Sequence, residues 1–130
     1  MLIDLTEFPL VYLRAEQESN RSPEAQIKAL FARGERFVMI ADHSPEDHHE
    51  EPHAQRKERA LILKRFRDQL SRWCAGAIVI ENRGPVAKPI KLASQAFGHA
   101  FGVPFAFVKD DITARETARR ILVPQAFPLG

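Results

Sequence analysis

The sequence predicts an α/β domain in which four helices surround a mixed, mostly parallel sheet of four to five strands. Two uninterrupted apolar runs, Phe37–Ala41 and Ala77–Ile80, have the composition of strands that are buried on both faces. Stretches with apolar residues at intervals of three and four, which are typical of amphipathic helices, separate and follow these runs. Because strands and helices alternate along the chain, we expect a largely parallel sheet with helices packed on its faces.

The first third of the chain predicts a strand pair followed by a helix. Leu2–Leu5 and Pro9–Arg14 are rich in β-forming side chains and are close enough in sequence to pair. Ser22 and Pro23 form a helix-start signal, with serine as the N-cap and proline at the first helical position. Gly34 marks the end of this helix, shortly before the first buried run.

Two further helices are predicted in the middle of the chain. The longer one extends from about Ala54 to Cys74 and ends before Gly76. The next extends from about Pro89 to Phe101, after the turn-forming residues 82–85. Its predicted buried face contains Leu92, Ala93, Ala96, Phe97 and Ala100.

A last strand, a last helix and a short tail complete the predicted order. Val103–Val108 is the strand, and Pro104 favours an edge position or the first residues of the strand, because proline has no N–H to donate. Thr113 opens the helix with capping-box spacing, and the helix continues through Leu122. The tail from about residue 123 is interrupted by prolines, so we expect it to pack loosely.

Length and composition favour one soluble domain over residues 1–130, since no repeat or linker divides the chain. No apolar run approaches the roughly 20 residues of a membrane span. The N-terminus lacks the pattern of a signal peptide and Cys74 is the lone cysteine, so we expect a reducing, cytoplasmic compartment. A net charge of +2 is too small to predict nucleic-acid binding.

Several short segments are similar to a known family. They are Phe8–Val11, Phe31–Asp42, the basic helix that follows, and Arg72–Val79. On these segments the chain resembles small bacterial proteins described as STAS-like or SpoIIAA-like, over nearly its whole length. The resemblance implies a mixed sheet with helices packed around it, and a regulatory or ligand-binding role rather than a catalytic one.

One motif of that superfamily is missing from this chain. Its phosphorylated anti-sigma-factor antagonists carry Asp-Ser-Ser-Gly at the start of the helix that follows the central strand. This chain has His-Ala-Gln-Arg at residues 53–56 in that neighbourhood, and Ser44 is the only serine of the preceding loop. We therefore do not expect a phosphorylation switch.

Polar residues follow the ends of three predicted strands. They are Asp42, His43 and Ser44 after the first buried run, Glu81, Asn82 and Arg83 after the second, and Lys109, Asp110 and Asp111 after the last strand. Ligands of open parallel sheets bind outside the carboxyl ends of the strands. Together with Lys88, these residues form the predicted ligand-binding rim. The alternative is an ordinary set of polar surface loops.

The loop at residues 42–53 is rich in histidine and acid. It contains five carboxylates and four of the five histidines, which are His43, His48, His49 and His53. Zinc and nickel accept such ligands, which makes this loop the candidate site for a divalent metal. The spacing matches no established motif, and Pro52 prevents a His-Glu-x-x-His helix. A solvated loop is the alternative.

Residues 82–89 are a candidate anion site. They lead into a predicted helix N-terminus, where backbone N–H groups, Arg83 and Lys88 suit a small anion, although the segment lacks a phosphate-loop sequence. The long helix carries an excess of arginine and lysine, for which a solvated outer face is the alternative interpretation. No aromatic residues alternate with these cations, which argues against single-stranded nucleic acid.

Three functions follow from these patterns. The first is a non-enzymatic binding or regulatory module of the STAS-like type, without a cofactor, that contacts a protein or a small ligand. The second is a small metal-dependent enzyme that uses the loop at residues 42–53, and metal content would separate it from the first. The third is anion or nucleotide binding at residues 82–89. We also expect a homodimer, because a small domain with an edge strand and apolar termini favours self-association.

Overall fold

The computed structural model describes residues 2–14, 17–41, 53–82 and 84–123, with residues 53–56, 58 and 59 described by their backbone alone. Within these residues the chain forms five strands and five helices. The strands are β1 (Leu2–Asp4), β2 (Leu10–Arg14), β3 (Phe37–Ala41), β4 (Cys74–Ile80) and β5 (Phe105–Val108). The helices are α1 (Pro23–Ala32), α2 (His53–Arg65), α3 (Arg67–Trp73), α4 (Lys88–Phe101) and α5 (Asp111–Leu122).

The described strands form one sheet in which their spatial order equals their order along the chain. β1 pairs with β2 in the antiparallel sense, and β2, β3, β4 and β5 pair in parallel. The predicted α/β class, the N-terminal strand pair and the mostly parallel sheet are therefore confirmed. β5 is an edge strand and begins directly after Pro104, as expected for a proline at the start of an edge strand.

The helix count differs from the prediction, because the predicted helix from Ala54 to Cys74 is two helices. The backbone leaves helical geometry at Phe66, with φ −99° and ψ 17°, and Cys74 is the first residue of β4. A straight helix of that predicted length would extend for about 30 Å. The break divides this length into helices of 13 and 7 residues, and both contribute residues to the apolar cluster on one face of the sheet.

Two apolar clusters lie on opposite faces of the sheet. Side chains alternate between the faces along each strand, so Phe37 of β3 belongs to the first cluster and Val38 to the second. Residues of α1, α2, α3 and α4 cover the first face, including Phe31 of α1. Within the described residues, the second face is covered by α5, through Ala114 and Ala118.

Helix α4 turns a different face to the sheet from the one predicted. Leu92 is 56% exposed, and the alanines at positions 93, 96 and 100 are exposed as well. The buried residue of α4 is Gly98, and Phe97 is half-buried. This orientation is fixed at both ends of the helix. Lys91 pairs with Glu81 near the start, and Gly98 fits against the chain that enters β5 near the end.

A polar cluster fastens the first strand pair to the last helix. The Tyr12 hydroxyl donates to Asp111 Oδ1 at 2.7 Å, and Tyr12 is buried. Arg115 donates to Asp111 at 2.7 Å and to Glu7 at 2.8 Å. Burial and the hydrogen bond to Asp111 raise the pKa of Tyr12. Partial burial opposes ionisation of Asp111, but the bonds from Arg115 and Tyr12 lower its pKa overall. The two pKa shifts favour a protonated Tyr12 hydroxyl and an ionised Asp111 carboxylate, which are the states that form these hydrogen bonds.

Asp4 fixes the turn that follows β1. Its carboxylate accepts hydrogen bonds from the backbone N–H and the hydroxyl of Thr6, at 3.0 and 2.7 Å. It also accepts a hydrogen bond from Arg14 Nε at 2.9 Å. These bonds stabilise the ionised carboxylate and lower the pKa of Asp4 to about 2.

Acid should therefore remove the stability that Asp4 provides. The pKa of Asp4 is lower in the folded chain than the value of about 4 in an unfolded one, so the contribution is complete above about pH 4 and is lost as the pH falls toward 2. Urea denaturation of the wild type and of Asp4→Asn, at about pH 6 and about pH 3, measures this effect. The gap in unfolding free energy between the two should narrow at the lower pH. An equal gap at both pH values would contradict the lowered pKa.

Candidate functional site

A large cavity lies between the first face of the sheet and the helices that cover it. Its volume is about 620 Å³, which falls within the range of about 300–1,000 Å³ found for small-molecule pockets. Its described lining comes from all five strands, from α1 to α4 and from the segments that join them. Ile27 of α1, Ile62 of α2 and Phe97 of α4 face Met39 and Ala77 of the sheet across this space.

Small side chains in the sheet explain why the space stays open beneath the helices. The strand register places Ala77 of β4 between Met39 of β3 and Phe105 of β5, and all three residues line the cavity. Ala41 at the end of β3 is a second short lining residue. A larger side chain at either position would fill part of the volume that alanine leaves open. The floor of the cavity is therefore a consequence of residue size in adjacent strands.

Aromatic pairs support the walls at two places. Phe31 of α1 and Phe66 have ring centroids 5.8 Å apart. Phe97 of α4 and Phe105 of β5 meet edge to face at 5.9 Å. All four rings line the cavity. Because such pairs gain energy from their mutual orientation, the first helps to hold α1 against the junction of α2 and α3, and the second helps to hold α4 against β5.

Cys74 faces the cavity from the first residue of β4. It is 2% exposed, and its Sγ donates to the backbone oxygen of Gly76 at 3.3 Å. Burial raises the pKa of the Cys74 thiol to about 11, so the thiol is protonated near neutral pH. A buried and protonated thiol is a poor nucleophile. Cys74 is therefore part of the wall of the cavity rather than a reactive group.

The described walls of the cavity are apolar. Its described lining residues supply apolar side chains and one thiol, and none of them carries a carboxylate, an imidazole, an amine or a hydroxyl. General acid–base and nucleophilic catalysis need such groups within hydrogen-bond reach of the substrate. What these walls offer a ligand is an apolar surface away from water.

The predicted rim site is described only in part. Glu81 and Lys109 follow the neighbouring strands β4 and β5, and the Glu81 N–H donates to the Val108 carbonyl at 2.6 Å. The Glu81 carboxylate accepts a hydrogen bond from the Val86 N–H and pairs with Lys91 at 3.3 Å. Glu81 therefore closes the turn before α4, and Lys109 is exposed.

Asp42, His43, Ser44 and Arg83 lie outside the described residues. After β5, Asp110 caps α5 by accepting a hydrogen bond from the Thr113 N–H at 2.7 Å, so the helix begins before the predicted Thr113. Ligand binding at the rim stays a prediction.

The candidate anion site at residues 82–89 contains an acid at its entrance. Asn82 and Lys88 are exposed, while the Glu81 carboxylate takes the N–H of Val86 within the same segment. A bound anion would have to compete with this carboxylate and would be repelled by it. Anion binding here stays a prediction that no contact among the described residues favours.

The candidate metal loop is almost wholly outside the described residues. Residues 42–52 are not described, and His53 is described by its backbone as the first residue of α2. In the part of the chain whose side chains are described, no three histidine, cysteine, aspartate or glutamate side chains come together as metal ligands would. The metal site of the loop at residues 42–53 stays a prediction.

Sequence reasoning missed the cavity, although it identified several of its walls. Ile27, Phe31 and Phe66 follow the apolar spacing of amphipathic helices, and all three line the cavity. The one available signal was the pair of short residues, Ala41 and Ala77, at the end of one buried strand and the start of another. That signal does not say how far the helices lie from the sheet.

Comparison with known proteins adds no relative to this description. No protein-family model, curated protein or solved structure matches the chain. Of the described helices, none combines the length and the apolar character needed to cross a membrane.

Proposed function

We propose that the chain is a non-enzymatic binding module of the STAS-like type that holds a small organic molecule in the cavity. The observation that carries this proposal is the space of about 620 Å³ between the sheet and α1, α2 and α4. Apolar walls of this extent favour the burial of an apolar ligand surface against them.

The STAS-like part of the proposal is supported by the mixed sheet with an N-terminal strand pair and helices on both faces. That architecture is the one the sequence resemblance implies. A regulatory role follows if the bound molecule changes the surface presented to a protein partner. Self-association belongs to the same proposal, and it is supported by β5, an edge strand without charged residues.

Binding of a neutral fluorescent dye tests the proposed site. N-phenyl-1-naphthylamine fluoresces strongly in apolar surroundings, so we expect saturable fluorescence when it is titrated into the purified chain. Ala77→Leu places a larger side chain on the cavity floor, between Met39 and Phe105. This variant should bind the dye about tenfold more weakly. It should also be more stable to urea by about 0.5–2 kcal/mol, because the added side chain fills empty space.

Ala96→Leu is the matched control, since Ala96 lies on the exposed face of α4. It adds the same atoms outside the cavity and should leave dye binding unchanged. If the wild-type chain does not bind the dye, or if Ala77→Leu binds it as tightly as the wild type, the proposed site is wrong.

A further inference from the structure

The absence of charge along the described walls restricts what the cavity can hold. None of the lining residues that the structure describes carries a formal charge, and the polar side-chain atom among them is the Cys74 thiol. That thiol already donates to Gly76. An ionised ligand group placed here would find neither an opposite charge nor an available hydrogen-bond donor among these side chains.

The described cationic side chains of α1 to α4, the helices that form the walls, either form ion pairs outside the cavity lining or are exposed to solvent. Lys91 of α4 pairs with Glu81 at 3.3 Å, and its Nζ lies 5.3 Å from the centre of the Phe107 ring. Arg65 of α2 pairs with Glu24 of α1. The remaining described lysines and arginines of α1 to α4 are exposed to solvent. To pair with one of these described side chains, a ligand charge would have to break an existing ion pair or remain at the surface.

The energetic difference between a neutral and an ionised ligand is large in such a site. Burial of a charged group without a partner is strongly unfavourable, whereas burial of an apolar group is favourable. The aromatic pairs Phe31–Phe66 and Phe97–Phe105 also present ring edges and faces to the cavity. Aromatic ligands gain from offset or edge-to-face contact with rings of this kind.

We infer that the cavity selects uncharged, ring-containing apolar molecules and rejects amphiphiles whose charged group would have to enter it. This inference rests on the proposed function and adds the chemical class of the ligand. The described walls offer no internal headgroup site, so we expect a long-chain acid to bind only as far as its carboxylate stays outside them.

Two dyes that differ by a single ionised group test the inference. N-phenyl-1-naphthylamine is neutral, and 8-anilino-1-naphthalenesulfonate has the same ring skeleton with one sulfonate added. Both are titrated into the full chain and into Ala77→Leu, and the binding that this variant weakens is assigned to the cavity. We expect the neutral dye to bind in the cavity at least about tenfold more tightly than the sulfonated dye.

A competition experiment with a second matched pair extends the test beyond dyes. Naphthalene-2-methanol and 2-naphthoate share a ring system, and near neutral pH only the second is ionised. The alcohol should displace the bound neutral dye at a concentration at least about tenfold lower than the carboxylate. Ala96→Leu should give the same displacement curves as the wild type.

The outcomes separate the inference from the function on which it rests. Equal cavity affinity for the two dyes, or equal displacement by the alcohol and the carboxylate, would overturn the neutral-ligand inference and leave the binding function standing. If neither dye binds, or if Ala77→Leu weakens neither, the proposed function fails and the inference fails with it.

Discussion

Replacement of Phe37 by alanine should lower the free energy of unfolding by about 3–5 kcal/mol. Phe37 is completely buried at the start of the central strand β3. Its ring centroid lies 6.5 Å from that of Phe8 and 6.1 Å from that of Phe31. The substitution removes the ring from between these neighbours, so the expected loss includes both the apolar burial and the cost of a new void.

Leu61→Ala is the control for this experiment, because it also truncates a large apolar residue but at a position that is 55% exposed. Its effect should stay within about 0.5 kcal/mol. Urea denaturation of both variants and the wild type gives the three values. A loss of less than about 1 kcal/mol for Phe37→Ala would contradict tight packing around β3.

Replacement of Gly98 by alanine should destabilise the fold by about 1–3 kcal/mol, although alanine is the better helix former. The added Cβ would lie 2.2 Å from the Val103 carbonyl oxygen and 2.8 Å from a ring carbon of Phe105. The backbone has little room to relax, because the Val103 N–H donates to the Gly98 carbonyl at 2.7 Å. The whole of α4 would have to move away from β5 to accept the methyl group.

Gln95→Ala tests whether this effect is specific to the contact. Gln95 is exposed in the same helix, so its replacement changes helix propensity slightly and touches no neighbouring element. Thermal and urea unfolding should show Gln95→Ala near the wild type and Gly98→Ala clearly below it. Equal stability of the two variants would mean that α4 is free to shift outward.

The helix ends that could be predicted from the sequence depend on capping residues close to them in the chain. Ser22 caps α1 by accepting a hydrogen bond from the Ala25 N–H at 3.2 Å, as its position before Pro23 indicates. Gly102 ends α4 with a left-handed φ of 69°, a conformation that favours glycine. Each of these signals acts within about one turn of the chain, so neighbouring residues are enough to identify it.

Features that depend on distances between elements could not be predicted in the same way. Apolar spacing places Leu92 and Phe97 on one predicted buried face of α4, but Leu92 is exposed, and the contacts of Lys91 and Gly98 set the orientation of the helix. Apolar spacing likewise continues through Phe66, although the backbone leaves helical geometry there. Neither the buried face of α4 nor the break at Phe66 can be predicted from apolar spacing alone.

The same limit applies to the candidate site. Met39, Ala77 and Phe105 come from three separated parts of the sequence and become neighbours only through the strand register. Their neighbourhood creates the cavity floor. By contrast, the predicted rim was based on where strands end, and its described acids are engaged in a turn and in a helix cap.

The hydrogen bond between Tyr12 and Asp111 joins residues that are 99 positions apart, and the hydrogen bond from Arg115 to Glu7 joins residues that are 108 positions apart. Since a ribosome releases the chain from its N-terminus, β2 and β3 exist for some time before α5 has been made. During that interval Val38, which is completely buried in the finished fold, has no helix over its face of the sheet. Contacts of such long range form slowly, and apolar strand surface exposed in the meantime favours aggregation. The synthesis of α5 thus sets how long this face of the sheet stays exposed to aggregation.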